Sequence, residues 1–305
     1  PLGKGDYVSA VVIVADTGET LIEHSPDAQW DPASLVKMML SLIARDRAGT
    51  TTLNWRTPVH TSAYASKMGG SQVYLKHGEV FTLAEMLQAI EIASANDACV
   101  AVAEAIAGST DAAVQLMNTK ARSLGMDDTT FVNVHGLPAA SGQPANSTTA
   151  HDIAILARSL VVRHPDILAT ASTLRAPFRG GKFILDNTNR HFLKAFEGAD
   201  GLKTGYHKRA KFNIAATARR GDVRLIVVIL GAESTKDRTR EASRLLGHVF
   251  AAYTRDTVLD NGERLPDRVY VEGSAHEYAP LQVAGDLSIF ARRGDFARVR
   301  IVPMD

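Results

Sequence analysis

A single cysteine, Cys99, in 305 residues forbids an intrachain disulfide, excludes a zinc site built on several thiolates and leaves the compartment undecided. Long apolar runs are missing too. The run Leu225 to Leu230, as long as any in the chain, falls far short of the roughly 18 residues of a membrane span and reads as a buried strand. Neither sign of charge is in excess: 34 Lys plus Arg against 33 Asp plus Glu leave a net charge of +1 and no global field for nucleic acid or an anionic membrane. The ten histidines show no His-Glu-x-x-His spacing, and no glycine-rich phosphate loop follows a strand, so neither metal nor cofactor is expected. An initiator Met and a charged-then-apolar leader are also lacking, and the start at Pro1 and Leu2 reads as a processed or engineered terminus.

What is present is a globular composition, 45% hydrophobic and 22% charged, in a length that suits one large domain with a small appendage. Tyr7 to Val14 and Thr20 to Glu23, separated by Asp16-Thr17-Gly18, predict a hairpin. From Asp31 to Arg47 the apolar residues Leu35, Met38, Met39, Leu42 and Ile43 follow a helical period, with Pro32 in the first turn. Thr82 and Glu85 have the spacing of a capping box, opening a helix that polar Ser94-Ala95-Asn96-Asp97 interrupts. Helices over Ala98 to Ala107, Asp111 to Leu124 and Thr149 to Val162 follow, the last after a long Gly- and Pro-rich loop from Val132 to Ser147. Extended patterns return at Gly201 to Thr204, Phe212 to Ala218 and Val223 to Leu230, and a helix runs from Thr235 to Tyr253. Strands, then helices, then strands predict an α+β fold with an antiparallel sheet flanked by helices, closed by pairing the terminal strands. The expected main domain is residues 1–255. A small C-terminal β appendage, 256–305, is expected from short extended pieces at Arg268 to Val271, Gln282 to Val283, Leu287 to Phe290 and Ala297 to Val302.

Three short motifs could carry chemistry. Ser34-Leu35-Val36-Lys37 puts a hydroxyl and an amine on one face of a helix start, where a desolvated lysine could act as the base for a serine nucleophile. Ser94-Ala95-Asn96 falls where two helices break apart. Lys203-Thr204-Gly205 sits on a predicted strand, offering a cation, a hydroxyl and room for a substrate backbone. Taken singly, each also fits a plainer reading: a helix cap with a solvated lysine, a cap for the next helix, and a strand turning at a glycine.

Together, and in this order, they match the Ser-x-x-Lys, Ser-x-Asn-type and Lys-Thr-Gly set of penicillin-recognising serine enzymes. With the segments PASLVKMM, GGSQVYLKHGE, SANDACVAVAEAIAGS, MNTKARSLGMDDTTFVNVHGL, STTAHDIAILARSL and DGLKTGY, the chain resembles the D-alanyl-D-alanine carboxypeptidases among the low-molecular-mass penicillin-binding proteins. The likeness covers most of residues 8 to 250. It implies a β-lactamase/transpeptidase-like fold with an all-helical subdomain, and a hydrolase that removes the terminal D-Ala from peptidoglycan stem pentapeptides. Ser34 would form the acyl-enzyme and Lys37 take its proton. Ser94 would relay a proton to the leaving amine, Asn96 would hold the peptide amide and orient Lys37, and Lys203 would supply positive charge. Thr204 would bind the terminal carboxylate with Arg238, and the backbone N–H groups of Ser34 and of Tyr206, the residue after Gly205, would form the oxyanion hole.

The resemblance further implies β-lactams as covalent inhibitors, peptidoglycan muropeptides as partners, no nucleic acid, and a periplasmic or extracytoplasmic location, with membrane contact left open. Cleavage of D-Ala-diaminopimelate cross-bridges is the alternative activity. A class A-like β-lactamase is disfavoured, because between Asp97 and Asp200 the only glutamates are Glu104 and Glu197 and neither has the setting of a deacylating base. His135 is expected to order the long loop, His151 to be structural and Cys99 to be a buried small apolar residue. His207 is left between a rim contact and a bystander, and Lys208, Arg209 and Lys211 read as a solvated edge.

Overall fold

The sequence pattern resolves, in a computed structural model describing residues 5–49, 53–270 and 278–295, into two compact units, residues 1–246 and 247–305. The first unit opens with the hairpin β1 (Ser9–Val14) and β2 (Thr20–His24). A 3-10 turn, Ala33–Leu35, leads into α1 (Val36–Ala48), so the predicted first helix begins tighter than an α-helix. Helix α1 is buried almost all round, because it lies between the sheet and the other helices.

Two short strands, β3 (Pro58–His60) and β4 (Val80–Thr82), pair ahead of α2 (Leu83–Ala93). The expected capping box is present: Thr82 accepts from the Glu85 amide at 3.2 Å, and Glu85 accepts from the Thr82 amide at 2.8 Å. Helices α3 (Asn96–Ala107), α4 (Thr110–Leu124) and α5 (Ala150–Arg163) follow. Helix α3 starts two residues earlier than its periodicity suggests, and its N-cap, Ala95, offers no side-chain bond. Thr149 caps α5 through the Asp152 amide, while the Asp152 carboxylate turns away to accept from Thr129 at 2.6 Å.

The stretch between α5 and the main sheet carries elements the pattern did not reveal. They are α6 (Ile167–Ala171), the hairpin β5 (Arg175–Phe178) and β6 (Phe183–Asp186), and α7 (Arg190–Ala195). Strands β7 (Ala199–His207), β8 (Lys211–Arg220) and β9 (Val223–Ala232) then complete an antiparallel sheet of order β2-β1-β9-β8-β7. Terminal strands do close it, with Val12 opposite Val227. The run Leu225 to Leu230 is entirely buried because β9 is covered on both faces. Strand β7 is left at an edge.

Helix α8 (Thr235–Ala252) crosses the junction of the two units. Within the second unit, β10 (Tyr253–Leu259) pairs with β13 (Leu287–Arg292), and β11 (Arg264–Tyr270) with β12 (Tyr278–Gln282). The sequence pattern did not mark β10; of the expected pieces, Arg268 to Val271 falls at the end of β11 with Val271 outside the described residues, and Ala297 to Val302 lies wholly outside them. Among the described residues no single helix is long and apolar enough to cross a membrane.

Candidate active site

Ser34 stands in the 3-10 turn, one residue after Ala33, whose φ is +47°. Asp31 enforces that bend: Oδ1 accepts from the Ala33 amide at 3.0 Å, and its backbone carbonyl accepts from Asn213 on β8 at 2.8 Å. The same carboxylate meets His207 at 3.0 Å and Arg209 at 2.8 Å. Burial would raise its pKa, but bonds from His207, Arg209 and the Ala33 amide outweigh that and hold it below the ordinary carboxylate value. His207 and Arg209 thus tie the end of β7 to the Ser34 turn, and Lys211 pairs with Glu233, so this basic cluster is not merely solvated.

One turn on, the Lys37 side chain is 1% exposed. Its Nζ donates to Ser34 Oγ at 2.9 Å and to the His135 carbonyl at 2.5 Å. Burial lowers its pKa to about 8, with Cys99 and Asp97 opposing. A neutral Lys37 can turn the first contact around and accept the serine proton. His135 accepts the Leu137 amide at Nδ1, 3.0 Å, and burial with the Lys37 charge pushes it down to about 4, so it orders the loop as a neutral ring. Cys99 is buried and its thiol is pushed up to about 12, first by burial.

Ser94 closes α2 in a left-handed conformation, φ +59°, and faces the cleft from a 3% exposed position. Asn96 does not line that cleft. Its amide nitrogen donates to the Gly69 carbonyl at 2.7 Å, and its backbone N–H to Ser71, so it holds the 69–71 loop. Asp97 adds to that grip by accepting from the Val73 and Leu75 amides at 3.1 and 3.0 Å.

From the edge strand, Lys203 is buried and donates to the Thr204 carbonyl at 3.0 Å. Its pKa lies well below the ordinary lysine value, through burial first and then repulsion from Lys37 and Arg238. The expected fixed cation is therefore one of two lysines that both hold their protons weakly. Thr204 donates to Thr188 at 2.9 Å, and Gly205 runs so close to the Ser34 turn that a Cβ there would lie 2.7 Å from the Pro32 carbonyl oxygen. Tyr206 is exposed and stacks on Phe212. Arg238, one turn into α8, is 5% exposed, donates to the Asn213 carbonyl at 3.3 Å, and is lowered to about 10 by burial.

Ser34, Ser94, Thr204, Gly205, Tyr206 and Arg238 line one cleft of about 460 Å³, with Lys37 and Lys203 buried beneath. The cleft also takes Ser71, Asn187, Thr188 and Thr235, which sequence reasoning missed. They come from turns and helix starts with no local periodicity to mark them. The arrangement suits acyl transfer: a serine on a tight turn, a desolvated amine as base, an edge strand to align an extended peptide, and a buried cation for a carboxylate.

Residues 6–234 match the family Peptidase_S11, D-alanyl-D-alanine carboxypeptidase. The chain is 35% identical over 290 residues to the D-alanyl-D-alanine carboxypeptidase DacF of Bacillus subtilis, covering 94% of this chain and 73% of that one. It is 31% identical to DacA of Escherichia coli over 95% of this chain and 72% of the other. Among solved structures it resembles a peptidoglycan synthesis regulatory factor (PBP3) of Streptococcus pneumoniae, with a TM-score of 0.87 and 25% identity, covering 95% and 86% of the two chains. It also resembles penicillin-binding protein D2 of Listeria monocytogenes in its ampicillin-bound form, with a TM-score of 0.72 and 27% identity, covering 79% and 96%.

Proposed function

The chain belongs to the D-alanyl-D-alanine carboxypeptidase family and is a serine-type carboxypeptidase of that kind, and on this premise we propose how its own residues perform the reaction. Ser34 attacks the carbonyl of the penultimate D-Ala of a peptidoglycan stem while neutral Lys37 takes the hydroxyl proton. The C–N bond breaks as Ser94 passes a proton to the departing D-Ala, and water then hydrolyses the ester on Ser34. The observation that carries this reading is the 2.9 Å contact between a fully desolvated Lys37 and Ser34 at the floor of the cleft.

Thr204 and Arg238 take the terminal carboxylate, Lys203, whose proton is weakly held, relays protons through Ser94, and the amides of Ser34 and Tyr206 hold the oxyanion. Asn96 acts chiefly by anchoring the 69–71 loop, since its amide hydrogens face Gly69. A β-lactam, which also presents an acid beside a reactive carbonyl, acylates Ser34 by the same route. Release is slow, because Glu104 is bonded to Ser62 and Glu197 lies beside Arg220, so neither stands over the ester as a base. The substrate places the enzyme's work outside the cytoplasm, at the cell wall.

A fluorescent penicillin should label the protein one to one, and a stem pentapeptide should lose one alanine mass on incubation. Ser34→Ala should abolish both; labelling that survives it would refute the nucleophile.

A further inference from the structure

The two amides assigned to the oxyanion come from distant parts of the chain, Ser34 in the turn before α1 and Tyr206 near the end of β7. Gly205 lets them approach: a Cβ there would lie 3.1 Å from the Ser34 amide nitrogen, so the two backbones run side by side. Contact sets how close they come. It does not fix the sliding of one backbone along the other, and donors to one developing anion need both distance and direction.

Asp31 supplies the missing link. Its Oδ1 accepts from the Ala33 amide at 3.0 Å and stands 3.0 Å from His207 Nε2. Ala33 directly precedes Ser34, and His207 directly follows Tyr206, so one carboxylate oxygen joins the neighbours of both donors. Ala33 has a φ of +47°, a left-handed conformation that alanine holds only where its surroundings impose it. His207 is fixed from its other side as well. Its Nδ1 accepts the Ala210 amide at 3.2 Å, which leaves the ring proton on Nε2, towards Asp31. That nitrogen is buried, and among the described residues it has no hydrogen bond outside this contact. Trp30 grips the same turn between β7 and β8, donating from Nε1 to the Ala210 carbonyl at 2.8 Å. Arg209 meets only the other carboxylate oxygen and is 59% exposed, so the buried part of the link is the imidazole.

We infer that His207 is a positioning residue for the oxyanion hole: through Asp31 it holds the Ser34 and Tyr206 amides at the separation the tetrahedral anion requires. The inference rests on the assignment of those two amides to the oxyanion. Acylation and deacylation both pass through such an anion, so a slack link slows both, while the carboxylate contacts of Thr204 and Arg238 to bound substrate stay in place.

The test removes the ring N–H with His207→Phe, which keeps the bulk, and with His207→Ala, and restores a donor with His207→Gln. On a D-Ala-D-Ala peptide the first two should lower kcat about ten- to a hundredfold, short of the loss from deleting an oxyanion donor, with KM little changed, and His207→Gln should recover most of it. Asp31→Ala should be as slow, and His207→Phe added to it should cost nothing more. The ester carbonyl stretch of the penicillin acyl-enzyme, read by infrared difference spectroscopy, should move to higher frequency in His207→Phe and His207→Ala and return in His207→Gln. Only folded, acylated protein gives that band, so a loss of fold shrinks it without moving it. The pH at which labelling levels off should not change, because Lys37 is untouched. A carbonyl band that stays in place, a loss carried by KM, or a displaced pH profile would overturn the positioning role and leave the carboxypeptidase reading standing. A band already at the free-ester frequency in the native protein would strike the oxyanion assignment instead.

Discussion

Gly136 lies against Ala33 with no space for a side chain: a Cβ on Gly136 would fall 2.0 Å from the Ala33 carbonyl oxygen and 2.9 Å from the Ser34 amide nitrogen. The φ of Gly136 is +80°, a conformation other residues adopt only under strain. The long loop thus braces the Ser34 turn by backbone contact.

Gly136→Ala should therefore displace the turn. We expect penicillin labelling to slow at least tenfold and stability to fall by about 1–3 kcal/mol, the usual range for overpacking and local strain. Calorimetry and a labelling time course on the same preparation check it; unchanged labelling would show that the contact does not position Ser34.

Acylation should rise with pH. Lys37 must be neutral to take the proton, and burial places its pKa at about 8, so only about a tenth of the molecules are competent at pH 7. The labelling rate should increase about tenfold between pH 7 and pH 9 and then level off. Folding follows the same sign: a lysine depressed in the native state leaves the unfolded chain binding more protons, so this contribution to stability grows from about pH 8 towards the unfolded lysine value. A rate flat from pH 6 to 9 would contradict a lysine base.

Arg238→Ala should cost about a hundredfold in kcat/KM for a D-Ala-D-Ala peptide, the scale of a charge-assisted bond to a buried guanidinium. The diagnostic comparison is the C-terminal carboxamide of that peptide. The native enzyme should discriminate strongly against it, and the variant should discriminate little; equal discrimination in both would place the carboxylate elsewhere.

Asp97→Ala removes the acceptor for the amides of Val73, Leu75 and Ala98 in a position 1% exposed. Each buried amide left without a partner costs on the order of 1–3 kcal/mol. We expect a loss of at least 3 kcal/mol in urea unfolding, with increased hydrogen exchange at Val73 and Leu75. A variant as stable as the native protein would show that the carboxylate does not hold the loop.

Much of this was legible in the chain. The periods of α1 through α5, the capping box at Thr82 and the apolar run of β9 are local signals, and each of these elements is present, though α1 opens with a 3-10 turn and α3 starts two residues early. The elements from α6 to α7 were not legible. They are short, half exposed and held by distant partners, as when Asn187 donates to the Ala171 and Thr173 carbonyls at 2.9 Å.

By itself the sequence determined which groups are available and in what order, because Ser-x-x-Lys spacing on a helix start and three ordered motifs are one-dimensional facts. Only the tertiary structure decided their electrical state and company. The pKa of Lys37 depends on water being excluded by residues as far away as His135, and Asn96 faces Gly69 instead of the cleft because a loop 27 residues earlier folds over it. Desolvation and contact are properties of the packed chain, which no single segment carries.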